Sequence, residues 1–287
     1  MSLDGRTILG ITREPDFSPG KKDSPILRLT FDWLAARGVG TRQVPGEDPD
    51  AWREEEEGEG TPPAMVLSMA RGEEALSRLA RWEEEGVPVM NTARSVRDCS
   101  GREALLARLE DAPFEGLRIP RGFFCASGGV GAAAEAAKAI EGWGLPVWAK
   151  GEDLHAREAK DILKVNAVEG LAPALAMFAK RGGGRVLFQE HIEGEAIRFC
   201  GVGRERFWFW RSVADRRHLP YADALSALGR DASARLGLEI YGGDAVVTPE
   251  GELFLIDLND WPSFTGCQAD ASDAIADLCC ERLGIPG

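Results

Sequence analysis

Apolar and polar positions change their period along the chain, and each change marks a new unit. Near the start, "TILGIT" (7–12), "AMVLSM" (64–69) and "VPVMN" (87–91) are short, nearly continuous apolar runs. Between them, "SPILRLTFDWLAARG" (24–38) and "GEEALSRLARWEEEG" (72–86) repeat apolar residues every three to four positions. Strands alternating with amphipathic helices in this way predict a parallel, doubly wound α/β sheet. Ser24 is expected to cap the first helix with Pro25 at its first turn, and Gly38 to end it. "SGREALLARLED" (100–111) reads as a connecting helix.

A second unit follows. "GFFCA" (122–126) and "LPVWAKG" (145–151) read as strands, and "GAAAEAAKAIEGWG" (131–144) and "VEGLAPALAMFAKRGGG" (168–184) as helices. A module of roughly 65 residues buries too little surface to stand alone, so it is expected to pack as a lid on a neighbour. After "RVLFQEHIEG" (185–194) the pattern becomes closely spaced strands: "AIRFCGVG", "RFWFWRSV", "LEIYGGDAVV" and "ELFLIDLN". These predict an antiparallel sheet, with the helix 222–237 before the second pair and the helix 269–284 closing the chain. The expected architecture is therefore an N-terminal parallel α/β domain (1–118), a lid (119–187) and an α+β unit with an antiparallel sheet (188–287).

Composition narrows the partners. The 287 residues carry a formal net charge of −13 and no basic tract, which argues against nucleic acid or an anionic membrane surface. No apolar run approaches the ~18–20 residues of a membrane span, and "MSLDGRTILG" lacks the layout of a secretion signal. Six cysteines without a C-x-x-C pair read as reduced, buried small hydrophobes, and a cytoplasmic location is expected. The acidic stretch 47–63 reads as a solvated loop. The loop 13–24, with Arg13, Lys21 and Lys22, lies where such a sheet holds ligands; an anion-binding lip and a plain solvated loop both remain open.

The candidate chemistry lies at the end of the last strand. "YGGDAVV" and "ELFLIDLN" flank "TPEG", a hairpin turn. Pairing Val247 with Glu252 sets Asp244 opposite Leu255. Asp244, Leu255, Asp257 and Asn259 then share one face, with the two carboxylates diagonal at about 7–8 Å between backbones. Two carboxylates and an amide suit a hard cation, Mg²⁺ or Mn²⁺. The residues alone leave this open against simple capping of a strand end. Asp260 projects to the opposite face and reads as turn chemistry; Trp261 and Phe264 read as core.

The order of these features resembles the ATP-grasp family. A parallel α/β domain comes first, then a lid ending in "PVWAK", then "LFQEHIEGEAIRFCGVG", then Asp on one strand and Asp-x-Asn on the next. The resemblance runs from about residue 88 to the end. It implies ATP and Mg²⁺ (or Mn²⁺) as cofactors. Lys150 would contact the phosphates, with Arg102 in place of the lysine that usually begins the connecting helix. Gln189, Glu190, His191 and Ile192 would form the hinge that receives adenine. Glu195 would reach the ribose, a task Glu193 could share. Arg198 and Arg211 would face the phosphates, and Asp244, Asp257 and Asn259 would hold the cation. Where relatives carry a Gly-rich loop this chain has "GEDLHAREAKD", in which His155, Arg157 and Lys160 could donate instead.

Most members of that family are ligases. The expected function is therefore activation of a carboxylate as an acyl phosphate, followed by attack of an amine, on small-molecule substrates. A kinase acting on a polyol or inositol-phosphate-like hydroxyl and a non-catalytic nucleotide-binding protein are the alternatives. Arg216 and Arg217 are candidates to line the acceptor site, and a homo-oligomer, frequent among relatives, is left open.

Overall fold

The computed structural model describes residues 7–17, 25–48, 52, 62–111, 114–152, 161–214 and 221–285. Lys21, Lys22, Ser24, His155, Arg157, Lys160, Arg216 and Arg217, singled out above, lie outside the described residues.

The first sheet is parallel in the order β2-β1-β3-β4: β1 Ile8–Ile11, β2 Thr41–Val44, β3 Met65–Ser68 and β4 Val89–Met90. Its central strands β1 and β3 are buried on both faces, which is why they read as unbroken apolar runs. Leu9, Ile11 and Val66 pack with Leu76, Leu79 and Trp82 of α2 (Glu73–Glu84). Ile8, Met65 and Leu67 pack with Ile26, Leu27 and Leu34 of α1 (Ile26–Ala36). Pro25 occupies the cap position of α1 and supplies no side-chain hydrogen bond. The connecting segment holds two helices, α3 Ala93–Ser100 and α4 Arg102–Asp111. Thr92 caps α3 by accepting the Ser95 amide at 3.1 Å. Trp52, inside the acidic stretch, is buried against Trp82 with ring centroids 6.3 Å apart.

The second sheet is antiparallel in the order β5-β8-β6-β7: β5 Gly122–Ala126, β6 Val147–Gly151, β7 Ile162–Val165 and β8 Arg185–Glu190. Helices α5 (Ala132–Ala139) and α6 (Leu171–Lys180) cover one face, where Val147, Ala149, Val186 and Phe188 meet Leu175 and Phe178. β8 runs across residues 187 and 188, so this sheet continues to Glu190.

The third sheet is antiparallel in the order β10-β9-β11-β12: β9 Glu195–Val202, β10 Phe207–Ser212, β11 Ile240–Val247 and β12 Leu253–Asp260. One face, with Ile197, Phe199, Ala245, Leu255 and Leu258, packs on α7 (Ala222–Leu236) and on Leu105 and Leu109 of α4. On the other face, among the described residues, one end is covered: Cys200, Val202 and Ile240 meet α8 (Gln268–Leu283), itself packed against α1. Arg37 of α1 reaches Asp273 and Asp277 of α8, each at 2.6 Å. All six cysteines are buried and outside disulfides. Among the described residues no helix is long and apolar enough to cross a membrane.

The hairpin register differs from the one expected. Val247 pairs with Leu253 and Ala245 with Leu255, and a β-bulge then sets Asp244 directly opposite Asp257. Ile256 is the extra residue. The bulge turns Leu255 to the core side with Leu258, so it does not share a face with the carboxylates. A second correction concerns Asp260, which is fully buried and ion-paired with Arg71 rather than serving a turn.

Candidate active site

The uncovered end of the third sheet carries a row of charged residues. Arg211 of β10 pairs with Arg198 of β9, Arg198 with Asp244 of β11, and Asp244 with Asp257 of β12. Directly opposed residues share a face and lie about 4.5–5.5 Å apart, so four strands present +, +, −, − side by side. The Arg198 guanidinium stands 3.4 Å from the Asp244 carboxylate. Asp244 keeps about half its side chain in solvent (49%). Even so, burial at the floor of the cleft raises its pKa above the usual carboxylate range, and the facing Asp257 carboxylate raises it further. Two glycines before Asp244 make the packing possible. A Cβ on Gly243 would stand 2.3 Å from the Asp257 carbonyl oxygen, and one on Gly242 would stand 2.8 Å from Pro262. Asn259, opposite Gly242, continues the carboxylate face.

The lid sheet supplies the next charge. On β6, Val147 and Ala149 turn to the helices, so Trp148 and Lys150 turn to the cleft. Lys150 is 4% exposed and donates to Gln189 Oε1 at 2.6 Å. Burial brings its pKa down to about 8. The Arg102 charge also lowers it, and Asp257 and Asp244 work in the opposite direction. Arg102, at the start of α4, donates from Nε to the Gly151 carbonyl at 3.2 Å and brings Nη1 within 3.7 Å of Asp257. The structure therefore gathers Lys150, Arg102, Asp244, Asp257, Arg198 and Arg211 at one cleft between lid and sheet.

The hinge residues sit at the exit of β8. Gln189 is buried under Lys150. Glu190 forms a bidentate pair with Arg121 at 2.8 and 2.5 Å, which lowers its pKa. His191 accepts the Trp148 indole N–H at Nδ1 (3.0 Å), while Nε2 lies 3.2 Å from Lys164 Nζ and 3.1 Å from Glu193. Both side chains are thus engaged, and Ile192 is half-buried beside them. Glu195 stands apart from the charged row. It pairs with Val247 of the core face and accepts the Ser212 hydroxyl.

Two carboxylates and an amide oxygen beside four cationic side chains form a donor set suited to a hard divalent cation and an anionic ligand. The cost that the facing Asp257 carboxylate imposes on an ionised Asp244 is relieved when a dication lies between them. Among the described residues no group of three or more His, Cys, Asp and Glu side chains is placed to hold a metal ion.

Other contacts at this site were not legible in the sequence. Arg13 donates to the Trp261 carbonyl at 3.1 Å, so it reaches the third sheet, while residues 18–24 of its loop lie outside the described residues. Arg71 and Asn91, at the ends of β3 and β4, also reach the third sheet. Trp261 and Phe264 are core residues, each 2% exposed. A cavity of about 440 Å³ opens at the carboxyl ends of the first sheet. Phe17 and Trp52 line it together with Glu14, Asp16, Glu47, Glu73, Glu74 and Arg78.

The chain matches no protein-family model and no curated protein sequence. Solved structures do resemble it over nearly its whole length. The RimK-domain ATP-grasp protein of Sphaerobacter thermophilus superposes with a TM-score of 0.67 at 22% identity, covering 94% of this chain and 99% of that one. The D-alanine–D-alanine ligase of Bacillus anthracis gives 0.70 at 13% identity, over 98% and 99%. The ATP-grasp ligase PsnB with its minimal precursor gives 0.68 at 18%, over 96% and 99%. The architecture is that of the ATP-grasp fold.

Proposed function

Starting from the ATP-grasp fold, we propose that this chain is a Mg-ATP-dependent ligase that activates a carboxylate as an acyl phosphate and joins it to an amine. The carrying observation is the convergence of Lys150 and Arg102 from one side, and of the Arg211–Arg198–Asp244–Asp257 row from the other, on a single cleft. Mg²⁺ or Mn²⁺ on Asp244, Asp257 and Asn259 would draw charge from a transferring phosphoryl group. Lys150 and Arg102 hold nucleotide phosphates in a water-poor setting. Arg198 and Arg211 offset charge on the phosphoryl group and then on the tetrahedral adduct formed by the amine. The β8 exit, Gln189 to Ile192, receives adenine through its backbone, and Glu193 lies nearer to it in sequence than Glu195 for a ribose contact. In this reading residues 1–118 form the substrate side, 119–190 the lid, its boundary moved from 187 because β8 continues to Glu190, and the rest to 287 the catalytic half, on small-molecule carboxylates and amines in the cytoplasm.

The cavity at the end of the first sheet favours ligase over inositol-phosphate kinase. Five carboxylates face one arginine there, a surface that suits an amine and repels a polyphosphorylated polyol. The test is incubation with Mg-ATP, hydroxylamine and pooled carboxylic acids while ADP and hydroxamate are followed. Hydroxamate formed with ADP is the expected result. ADP formed only with a phosphorylated polyol would make the chain a kinase, and no ADP with any pool would leave a nucleotide-binding protein.

A further inference from the structure

In a doubly wound sheet the side chains at the carboxyl ends of the strands ordinarily face a ligand. Three of those side chains here face protein backbone instead. Arg13, after β1, donates to the Trp261 carbonyl at 3.1 Å. Arg71, after β3, donates to the Asp260 carbonyl at 3.2 Å and is ion-paired with the Asp260 carboxylate. Asn91, after β4, donates to the Ile240 carbonyl at 2.7 Å and accepts the amides of Glu239 and Ile240 at 2.8 and 3.0 Å.

These contacts form one connected set. The Ile240 carbonyl that receives Asn91 also receives the Trp261 amide at 3.2 Å. Glu14 accepts the amides of Arg71 and Gly72 at 3.0 and 2.8 Å, fixing the loop from which Arg71 reaches out. The backbone so held needs holding. Trp261 has φ 38° and Phe264 φ 48°, left-handed values that bulky residues seldom adopt. Asn259 and Asp257 lie one and three residues upstream of the Arg71 contact. A strand end free to unwind would swing both away from Asp244.

We propose that Arg71, supported by Arg13 and Asn91, is a positioning residue that fixes the end of β12 and thereby the placement of Asp257 and Asn259 toward their cation. This rests on the cation reading of those residues given above. It assigns the ligand-facing ends of the first sheet to aligning the catalytic strand, so that the N-terminal unit contributes to metal affinity without touching metal.

The experiment compares wild type with Arg71→Met as complexes with a non-hydrolysable ATP analogue. Mn²⁺ uptake is followed by EPR, and amide hydrogen exchange is measured over residues 258–264. The expected result is Mn²⁺ affinity weakened about 10–100-fold, the range for groups that orient metal ligands, with faster exchange over 258–264 and unchanged analogue binding in the absence of metal. Wild-type Mn²⁺ affinity and exchange in a folded Arg71→Met protein would overturn the proposal. A wild-type complex that takes up no Mn²⁺ would instead overturn the cation reading, and that failure is visible before any variant is made. If Arg71→Met does not fold, Arg71→Lys keeps the buried charge with fewer donors, and the same two measurements decide.

Discussion

The lid sheet and the third sheet are both four-stranded and antiparallel, and both turn one face to the same cleft, yet they handle charge in opposite ways. On the lid face Lys150 is buried at 4% exposure and held by a neutral amide, Gln189. On the third sheet four charges stand in a row, Arg198 and Asp244 about half in solvent, each beside an opposite charge or a like one. The first arrangement is costly until an anion arrives, because desolvation of the ammonium outweighs the pull of Asp257 and Asp244. The second is nearly self-compensating, and its one repulsive step, Asp244 against Asp257, is the step a cation relieves. Under the proposed function, one sheet would therefore keep its interaction for the nucleotide and the other for the metal.

The sharpest way to break that comparison is Asp257→Asn. It removes the like-charge pair and the carboxylate that Arg102 approaches at 3.7 Å. Metal-dependent nucleotide turnover is expected to fall by at least about 10²–10³-fold, the range for losing one stabiliser of transition-state charge. The Asp244 pKa should drop back toward the ordinary range, which NMR titration of the carboxyl would show, and circular dichroism should report an intact fold. Turnover equal to wild type would remove Asp257 from the cation site.

Lys150→Met tests the other sheet. Nucleotide affinity is expected to weaken by about 10–150-fold, since hydrogen bonds to charged groups contribute about 1.5–3 kcal/mol. The unliganded protein should become more stable at pH 7, because the buried ammonium is replaced by an apolar chain of similar length. Calorimetry of nucleotide binding and of unfolding reads both. Loss of affinity together with loss of stability would contradict the picture of a charge held in waiting for its ligand.

A smaller effect follows from pH. With a folded pKa of about 8 against 10.5 unfolded, Lys150 binds fewer protons in the native state between those values. Its contribution to the unfolding free energy therefore rises with pH across that window, by about 3 kcal/mol at most. Nucleotide affinity moves the other way, falling as pH rises above about 8 and the lysine loses the charge that phosphates need. A titration from pH 7 to 9.5 should show this in wild type and a flat line in Lys150→Met.

Much of this was legible in the chain because the informative strands alternate or end abruptly. Lys150 is conspicuous as a charge closing "PVWAK", and Asp257 and Asn259 as polar positions ending an apolar strand. The bulge was not legible. "LFLID" has four apolar residues in succession, so no alternation reports on which side of the sheet each one falls. The strands Thr41–Val44 and Ile162–Val165 escaped because sheet-edge segments of mixed polarity lack a period. Arg13, Arg71 and Asn91 escaped for a different reason. Their partners are backbone atoms up to 248 residues away, and nothing in a residue's local sequence marks a backbone acceptor that only the assembled fold brings near.

The smallest expected effect sharpens the comparison most finely. Arg198 and Asp244 are 59% and 49% exposed at 3.4 Å, a surface ion pair whose loss should change stability by no more than about 1 kcal/mol. Arg198→Met nevertheless removes the cation that holds the Asp244 pKa down, so Asp244 should titrate at still higher pH. Two consequences then separate. At a pH well above that titration, Asp244 is fully ionised without a competing arginine, and Mn²⁺ binding should tighten. In the acidic range the added protonation should weaken it relative to wild type. A crossing of the two affinity curves with pH is the signature of a self-compensating row. Parallel curves would mean that Arg198 and Asp244 do not share their charge, and that the row is four independent residues.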